Sequence, residues 1–262
     1  MQFAKTKDGI KVAYRKHGEG SRVVIFVHGW TMSGQVYDGL LEQLDRSGLT
    51  LLVLDLRGAG GSDKPEAADA YSFAHYAADV LAVADAEKVA KFVVIGHSMG
   101  GQIAQWLAAH HSERVAGAVL LCPVPACGVP LPSELATLFS TSGGNRDAIK
   151  TILGMACKDL PEGAGEQLID IAMGTTQNAV KFGFNTWTTG GFTDVLEKIR
   201  VPVVCVGTDD PFLPPPFLRG EVVGKIPGAR FAYLPGAGHY VQVERPRETA
   251  AVVEAFLAAL AL

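Results

Sequence analysis

The run Gly96-His97-Ser98-Met99-Gly100-Gly101 has the residue types and spacing of a nucleophile on a turn. It directly follows the apolar stretch Lys91-Phe92-Val93-Val94-Ile95 and directly precedes an Ala-rich helical pattern. A serine held on a sharp strand-to-helix turn needs small residues two positions before and two after it, and Gly96 and Gly100 supply them. Such a turn exposes the Ser98 hydroxyl at a helix N-terminus, where the partial positive charge favours a developing anion. The Met99 N–H, an unsatisfied donor of that first turn, is free to serve the same anion. The bland alternative is a glycine-rich turn with an incidental serine; the strand–turn–helix context favours chemistry.

A serine nucleophile needs a base, and there are seven histidines. His239, in Gly236-Ala237-Gly238-His239-Tyr240, falls between the last apolar run and a C-terminal helical pattern. Loops at the carboxyl ends of parallel strands converge on one crevice, so His239 can meet Ser98 across the intervening chain. His17, His75, His110 and His111 fall on an edge strand or on helices, as solvated or packed residues. His97 sits in the turn itself, but alternation points it away from the Ser98 side chain, toward a structural hydrogen bond.

A third group, a carboxylate, should orient the imidazole. Val203-Val204-Cys205-Val206-Gly207-Thr208-Asp209-Asp210-Pro211 offers two, of which Asp210 is preferred and Asp209 is read as a solvated turn residue. The chain order Ser98, Asp210, His239 is the one expected for one particular fold. Val27-His28-Gly29-Trp30-Thr31 ends an early strand, and Gly29 would let the Trp30 N–H turn toward the same place as that of Met99. Together these two donors would form an oxyanion hole.

The elements that must position these residues alternate along the chain. Asp8-Gly9 between Phe3–Thr6 and Ile10–Lys16 predicts a hairpin. Strands are expected at Arg22–His28, Leu49–Asp55, Lys91–His97, Val115–Cys122, Val201–Val206 and Arg230–Leu234. Their continuous apolar character is that of parallel strands covered on both faces. Helical spacing marks Phe73–Val89, Gly100–His111 and Arg247–Ala259. The fold class is therefore α/β, with a mostly parallel central sheet flanked by helices. From Pro123 to about Asp194 no strand is evident, and helices are expected at Pro132–Ser140, Arg146–Ala156 and Glu162–Met173. That stretch reads as a helical insertion, 123–194, splitting a core of 1–122 and 195–262.

Composition narrows the remaining classes. The 262 residues are 48% hydrophobic, enough for a sizeable core. Lys+Arg 23 against Asp+Glu 27 gives a net charge of -4 with no basic stripe, which argues against a nucleic-acid partner. Four cysteines lack metal-site spacing and read as small buried residues in a reducing compartment. No metal cluster is visible, no apolar leader opens the sequence, and no stretch has membrane-spanning length. A protein without a membrane span, in the cytoplasm, is expected; a homodimer is compatible with the sequence.

On these residues the chain resembles the α/β-hydrolase fold superfamily, in its group of small capped serine hydrolases. Asp55-Leu56-Arg57-Gly58-Ala59-Gly60-Gly61-Ser62 fits that family's Asp-x-Arg-Gly-x-Gly-x-Ser turn, and His239-Tyr240-Val241-Gln242-Val243-Glu244-Arg245-Pro246 fits its His-x4-Glu-x-Pro ending. The former is a poor dinucleotide loop, since Asp63 stands at the third glycine position. The resemblance implies Ser98 as nucleophile, His239 as base, Asp210 as acid, and oxyanion donors at the Trp30 and Met99 backbones. It covers the core but not the insertion, which in this superfamily is a cap shaping the pocket. Leu138, Phe139, Trp187, Phe212 and Tyr240 are the expected pocket residues, with Trp187 foremost.

The activity so implied needs no cofactor: a carboxylesterase acting on small to medium apolar esters through an acyl-enzyme. Lactonase, carbon–carbon bond hydrolase and cofactor-free perhydrolase share the same triad and stay open. A small-molecule receptor with very slow turnover is the reading from outside the enzymes. Serine at the turn excludes the aspartate-nucleophile dehalogenases and epoxide hydrolases of the superfamily.

Overall fold

The computed structural model describes residues 1–260. Eight strands form one sheet in the order β1-β2-β4-β3-β5-β6-β7-β8. They are β1 (Gln2–Lys5), β2 (Lys11–His17), β3 (Arg22–Val27), β4 (Leu49–Leu54), β5 (Phe92–His97), β6 (Val115–Leu121), β7 (Val203–Gly207) and β8 (Arg230–Tyr233). The hairpin β1–β2 is antiparallel, β2 joins β4 antiparallel, and every pairing from β4 to β8 is parallel. All eight expected strands are present, with ends shifted by no more than two residues.

The central strands β4, β5 and β6 are buried along their whole length, as their unbroken apolar sequences require. Alternate side chains feed two cores. Ile25, Val27, Leu52, Leu54 and Val94 pack on one face against Val80 and Val83 of α2 (Phe73–Ala86) and Ile103 and Leu107 of α3 (Met99–His110). Val24, Phe26, Leu51, Val53 and Val93 pack on the other against α1 (Asp38–Gln43) and Val253 and Leu257 of a C-terminal helix.

Between β6 and β7 run four helices: α4 (Ser133–Ser140), α5 (Arg146–Ala156), α6 (Ala164–Met173) and α7 (Gln177–Thr189). The sequence pattern showed the first three. The fourth was missed because Phe182, Phe184 and Trp187 are interleaved with Asn, Thr and Gly, which blurs a helical stripe. Side-chain caps start two of them: Asn145 Oδ1 accepts from Ala148 N, and Thr176 Oγ1 from Ala179 N. The remaining helices α8 (Pro215–Leu218), α9 (Val241–Glu244) and α10 (Pro246–Ala259) flank the last two strands.

Cysteine burial is more varied than expected. Cys122 and Cys205 are buried, whereas Cys157 is half-buried and Cys127 exposed; all four are free thiols. Cys127 lies in the stretch between β6 and α4.

The Asp55–Ser62 turn is a structural staple. Asp55 accepts Gly34 N–H and Gly61 N–H, 2.8 Å each, and a Cβ on Gly60 would stand 2.2 Å from its Oδ2. The Arg57 side chain is fully buried and pairs with the equally buried Asp79, Nη2 to Oδ1 at 2.7 Å, while Asp79 Oδ2 also accepts the Arg57 N–H. Arg57→Met would leave Asp79 buried and unpaired, a loss on the order of 3–5 kcal/mol. Urea unfolding of the variant should show it; a loss below about 1 kcal/mol would mean the pair is not a structural keystone.

Candidate active site

At the end of β5 the backbone turns through Ser98 with φ 56° and ψ -121°, then enters α3 at Met99. This conformation is strained for a residue with a side chain and persists only where the surroundings impose it. Two close approaches impose it here. A Cβ on Gly96 would lie 2.2 Å from Gly100 O, and one on Gly100 would lie 2.1 Å from Val27 O. The Ser98 N–H donates to Leu121 O, and Ser98 O accepts from Gln102 N and Val124 N, so both neighbouring elements hold the turn.

Asp210 follows β7 and is fully buried at its side chain. One carboxylate oxygen accepts from Phe212 N at 2.9 Å; the other accepts the His239 Nδ1–H at 2.6 Å. That partner places the imidazole proton on Nδ1 and leaves Nε2 as a lone pair. Thr208 braces the arrangement, its hydroxyl donating to Gly238 O at 2.7 Å and accepting from Asp210 N. Asp209 points elsewhere: it accepts from the Tyr233 hydroxyl and from Gly236 N. The Tyr233 hydrogen bond holds its carboxyl below the usual range. It is a brace for the β8 loop rather than the free turn residue expected.

The loop bearing His239 is tied down by Glu244. Its Oε2 accepts from Gly238 N, Lys158 N and Asp159 N, and its Oε1 from Tyr240 N. His239 N itself donates to Ala156 O at the end of α5, at 2.8 Å. The His-x4-Glu spacing thus serves a carboxylate that fastens the histidine loop to the helical insertion, a role that only the folded arrangement discloses.

Ser98 and His239 face one pocket together with Trp30, His97, Phe139, Trp187, Phe212 and Tyr240. Val124, Val129, Leu131, Ile152, Ala156 and Leu213 complete the wall. These aliphatic residues were not anticipated, although Ile152 and Ala156 fall on the buried face of α5 with Ile149 and Leu153. Leu138 does not belong to the wall: it is half-buried against the core while its neighbour Phe139 turns inward. Consecutive helical residues point about 100° apart, and here Phe139 takes the pocket side. Trp30 stacks on Phe139 with centroids 5.5 Å apart, and Trp187 meets Trp30 edge-on at 6.0 Å. The cavity enclosed by the whole wall has a volume of ≈ 60 Å³.

The Trp30 and Met99 N–H groups flank the Ser98 turn, and neither donates to another group among the described residues. Gly29 packs against the turn so closely that a Cβ there would be 3.0 Å from Ser98 Cβ. Thr31 follows with φ 63°, a second strained residue in the same neighbourhood. His97 also lines the pocket, contrary to the simple alternation argument, because the turn rotates the end of β5. Its Nε2–H donates to His239 O at 2.9 Å, the structural bond expected of it.

Comparisons with known proteins give the family. Residues 22–148 match the family model described as alpha/beta hydrolase fold. A non-heme haloperoxidase from Rhodococcus erythropolis is 31% identical, over 91% of this chain and 93% of the relative. A bifunctional esterase/perhydrolase from Acinetobacter calcoaceticus is 27% identical over 82% of this chain and 84% of its own length. Among solved structures, the esterase RhEst1 from a Rhodococcus species superposes with TM-score 0.86 at 27% identity, covering 99% of this chain and 98% of that one.

Two imidazoles near the site are held neutral. Burial pushes His97 well below the ordinary histidine range, with the nearby His239 adding to it, and burial likewise lowers His28. His28 Nε2 accepts from Leu56 N while Nδ1–H donates to Gly29 O, so a second proton would break a backbone contact. Unfolded histidine titrates near 6.5, so below that pH the unfolded chain binds protons that the folded chain refuses. Stability contributed by each site is full above that value and falls as pH drops, by up to about 1.4 kcal/mol per unit. Urea unfolding from pH 7.5 to 5.0 should therefore be less pH-sensitive in His97→Asn than in the parent; equal slopes would refute the burial of a neutral ring.

Proposed function

The chain belongs to the α/β-hydrolase fold family, and on that footing we propose that it is a serine hydrolase cleaving carboxylic esters of short-chain acids. The observation that carries this reading is the 2.6 Å bond between Asp210 and His239 Nδ1 beside a strained, pocket-facing Ser98. In the proposed reaction, His239 Nε2 takes the Ser98 proton as the serine oxygen attacks the ester carbonyl. The tetrahedral oxyanion is met by the Trp30 and Met99 N–H groups, each worth roughly 100- to 1,000-fold in rate. Collapse expels the alcohol with the proton from His239. A water molecule, deprotonated by the same imidazole, then releases the acid from the acyl-serine.

In this reading residues 123–194 act as a cap, and the core of 1–122 and 195–262 carries the chemistry. Phe139 and Trp187 reach the pocket from α4 and α7, where they would contact the acyl chain. The free space of ≈ 60 Å³ favours acyl groups of a few carbons. No helix among the described residues is long and apolar enough to cross a membrane, and the four free thiols favour the cytoplasm.

A second reading is favoured by the haloperoxidase and esterase/perhydrolase relatives. Hydrogen peroxide in place of water would attack the same acyl-serine, giving a peracid and free serine. The triad is shared, so the two activities would be lost together.

Ser98→Ala should lower kcat on p-nitrophenyl esters by about a million-fold if the triad acts as a unit. A purified variant retaining most of its turnover would remove serine catalysis from consideration. Among wild-type substrates from acetate to dodecanoate, kcat/KM should peak at short chains; an optimum at decanoate or beyond would contradict the small pocket. Peracid formation from acetate ester and peroxide, measured beside hydrolysis, decides the second reading.

A further inference from the structure

Among the described residues, two that line the pocket carry a buried polar atom without a partner: His97 Nδ1 and Trp187 Nε1. Their needs are opposite. His97 Nε2–H is spent on His239 O, so Nδ1 is a lone pair, and it lies against Gly29, 3.1 Å from where a Cβ there would stand. Trp187 Nε1 carries a hydrogen with nothing to accept it. The contrast with Trp30 is direct, since that indole N–H donates to Val180 O at 2.8 Å. Buried indole N–H groups ordinarily find an acceptor, and leaving one unmet is unfavourable.

Trp187 is also held in place. It occupies the last turn of α7, its carbonyl accepts from Gln102 Nε2 of the helix that begins after Ser98, and its ring packs edge-on against Trp30 and Phe184. Most of the wall is carbon, and none of its polar side chains, Ser98, His97, His239 and Tyr240, accepts from the Trp187 N–H.

We propose that Trp187 is a specificity-determining residue whose indole N–H donates to a second oxygen of the substrate's acyl group. The favoured substrates are then short-chain esters bearing an ether or keto oxygen besides the scissile carbonyl, rather than plain alkanoates. This rests on the hydrolase reading only in placing the acyl group in this pocket. A site built to satisfy one hydrogen-bonding atom discriminates against the analogue lacking it, here by about tenfold for one neutral hydrogen bond.

Two isosteric ester pairs replace a methylene by oxygen: p-nitrophenyl methoxyacetate against butanoate, and 3-methoxypropanoate against pentanoate. The ratio of kcat/KM within at least one pair should be about tenfold higher in wild type than in Trp187→Phe, which keeps an aromatic ring and removes only the donor side of the indole. Dividing one ratio by the other cancels the intrinsic reactivity of the activated esters. A second readout needs no turnover. In Ser98→Ala, ethyl methoxyacetate or ethyl 3-methoxypropanoate should move the Trp187 indole N–H proton resonance downfield, and the alkanoate esters should not. Equal ratios in both proteins, with no selective indole shift, would overturn the inference while leaving hydrolysis intact. Turnover that survives Ser98→Ala would instead strike the hydrolase reading, and the indole shift would still judge the inference.

Discussion

Everything in the candidate site is arranged around a single uncomfortable backbone conformation. Ser98 sits at φ 56° because β5 must end and α3 must begin with no intervening loop. The sheet and helix can approach so closely only because Gly96 and Gly100 present hydrogen where any other residue would drive a carbon into Gly100 O or Val27 O. That crowding holds the strained turn in place, since relaxing it would require moving β3, β5 and the helix that follows β5. The strain is thus stored in the most rigid part of the molecule, where the buried cores on both faces of the sheet oppose its release.

The histidine side of the site is fixed by different means. Asp210 and His239 lie on loops, which are intrinsically softer than a strand-to-helix turn, and hydrogen bonds replace packing as the constraint. Thr208 links the acid loop to the histidine loop through Gly238 O, and Glu244 gathers four backbone N–H groups around its carboxylate. A buried carboxylate so satisfied is a strong geometric clamp, and it removes freedom from an imidazole whose orientation decides which nitrogen is left basic.

The parts of this organisation that could be read from sequence share one property: they are local. The Ser98 turn announces itself through glycines two residues away, and the buried strands through uninterrupted runs such as Leu49–Leu54. The preference for Asp210 over Asp209 came from position after β7, and the carboxylate of Asp210 meets His239 while that of Asp209 braces Tyr233 and Gly236. What stayed hidden depends on contacts between distant segments. Helix α7 is recognisable only when Phe184 and Trp187 are seen to face Trp30. Leu138 and Phe139 are equally apolar, and only the orientation of α4 on the core decides which one reaches the pocket. Glu244 belongs to a recognisable motif, but its role is visible only when Lys158 N and Asp159 N are brought beside it.

Those last partners have a consequence for how the insertion can be modified. Ala156, Lys158 and Asp159 belong to the helical insertion, yet they complete the hydrogen bonding of the loop that carries His239. Transplanting a foreign insertion between β6 and β7 to change selectivity would therefore exchange part of the histidine's scaffold as well. A chimera that keeps the histidine's scaffold has its upstream junction beyond Asp159. The half of the insertion around α5 is accordingly bound to the base, while α7 meets the opposite side of the site, its Val180 O accepting the Trp30 indole N–H and its Trp187 O accepting from Gln102.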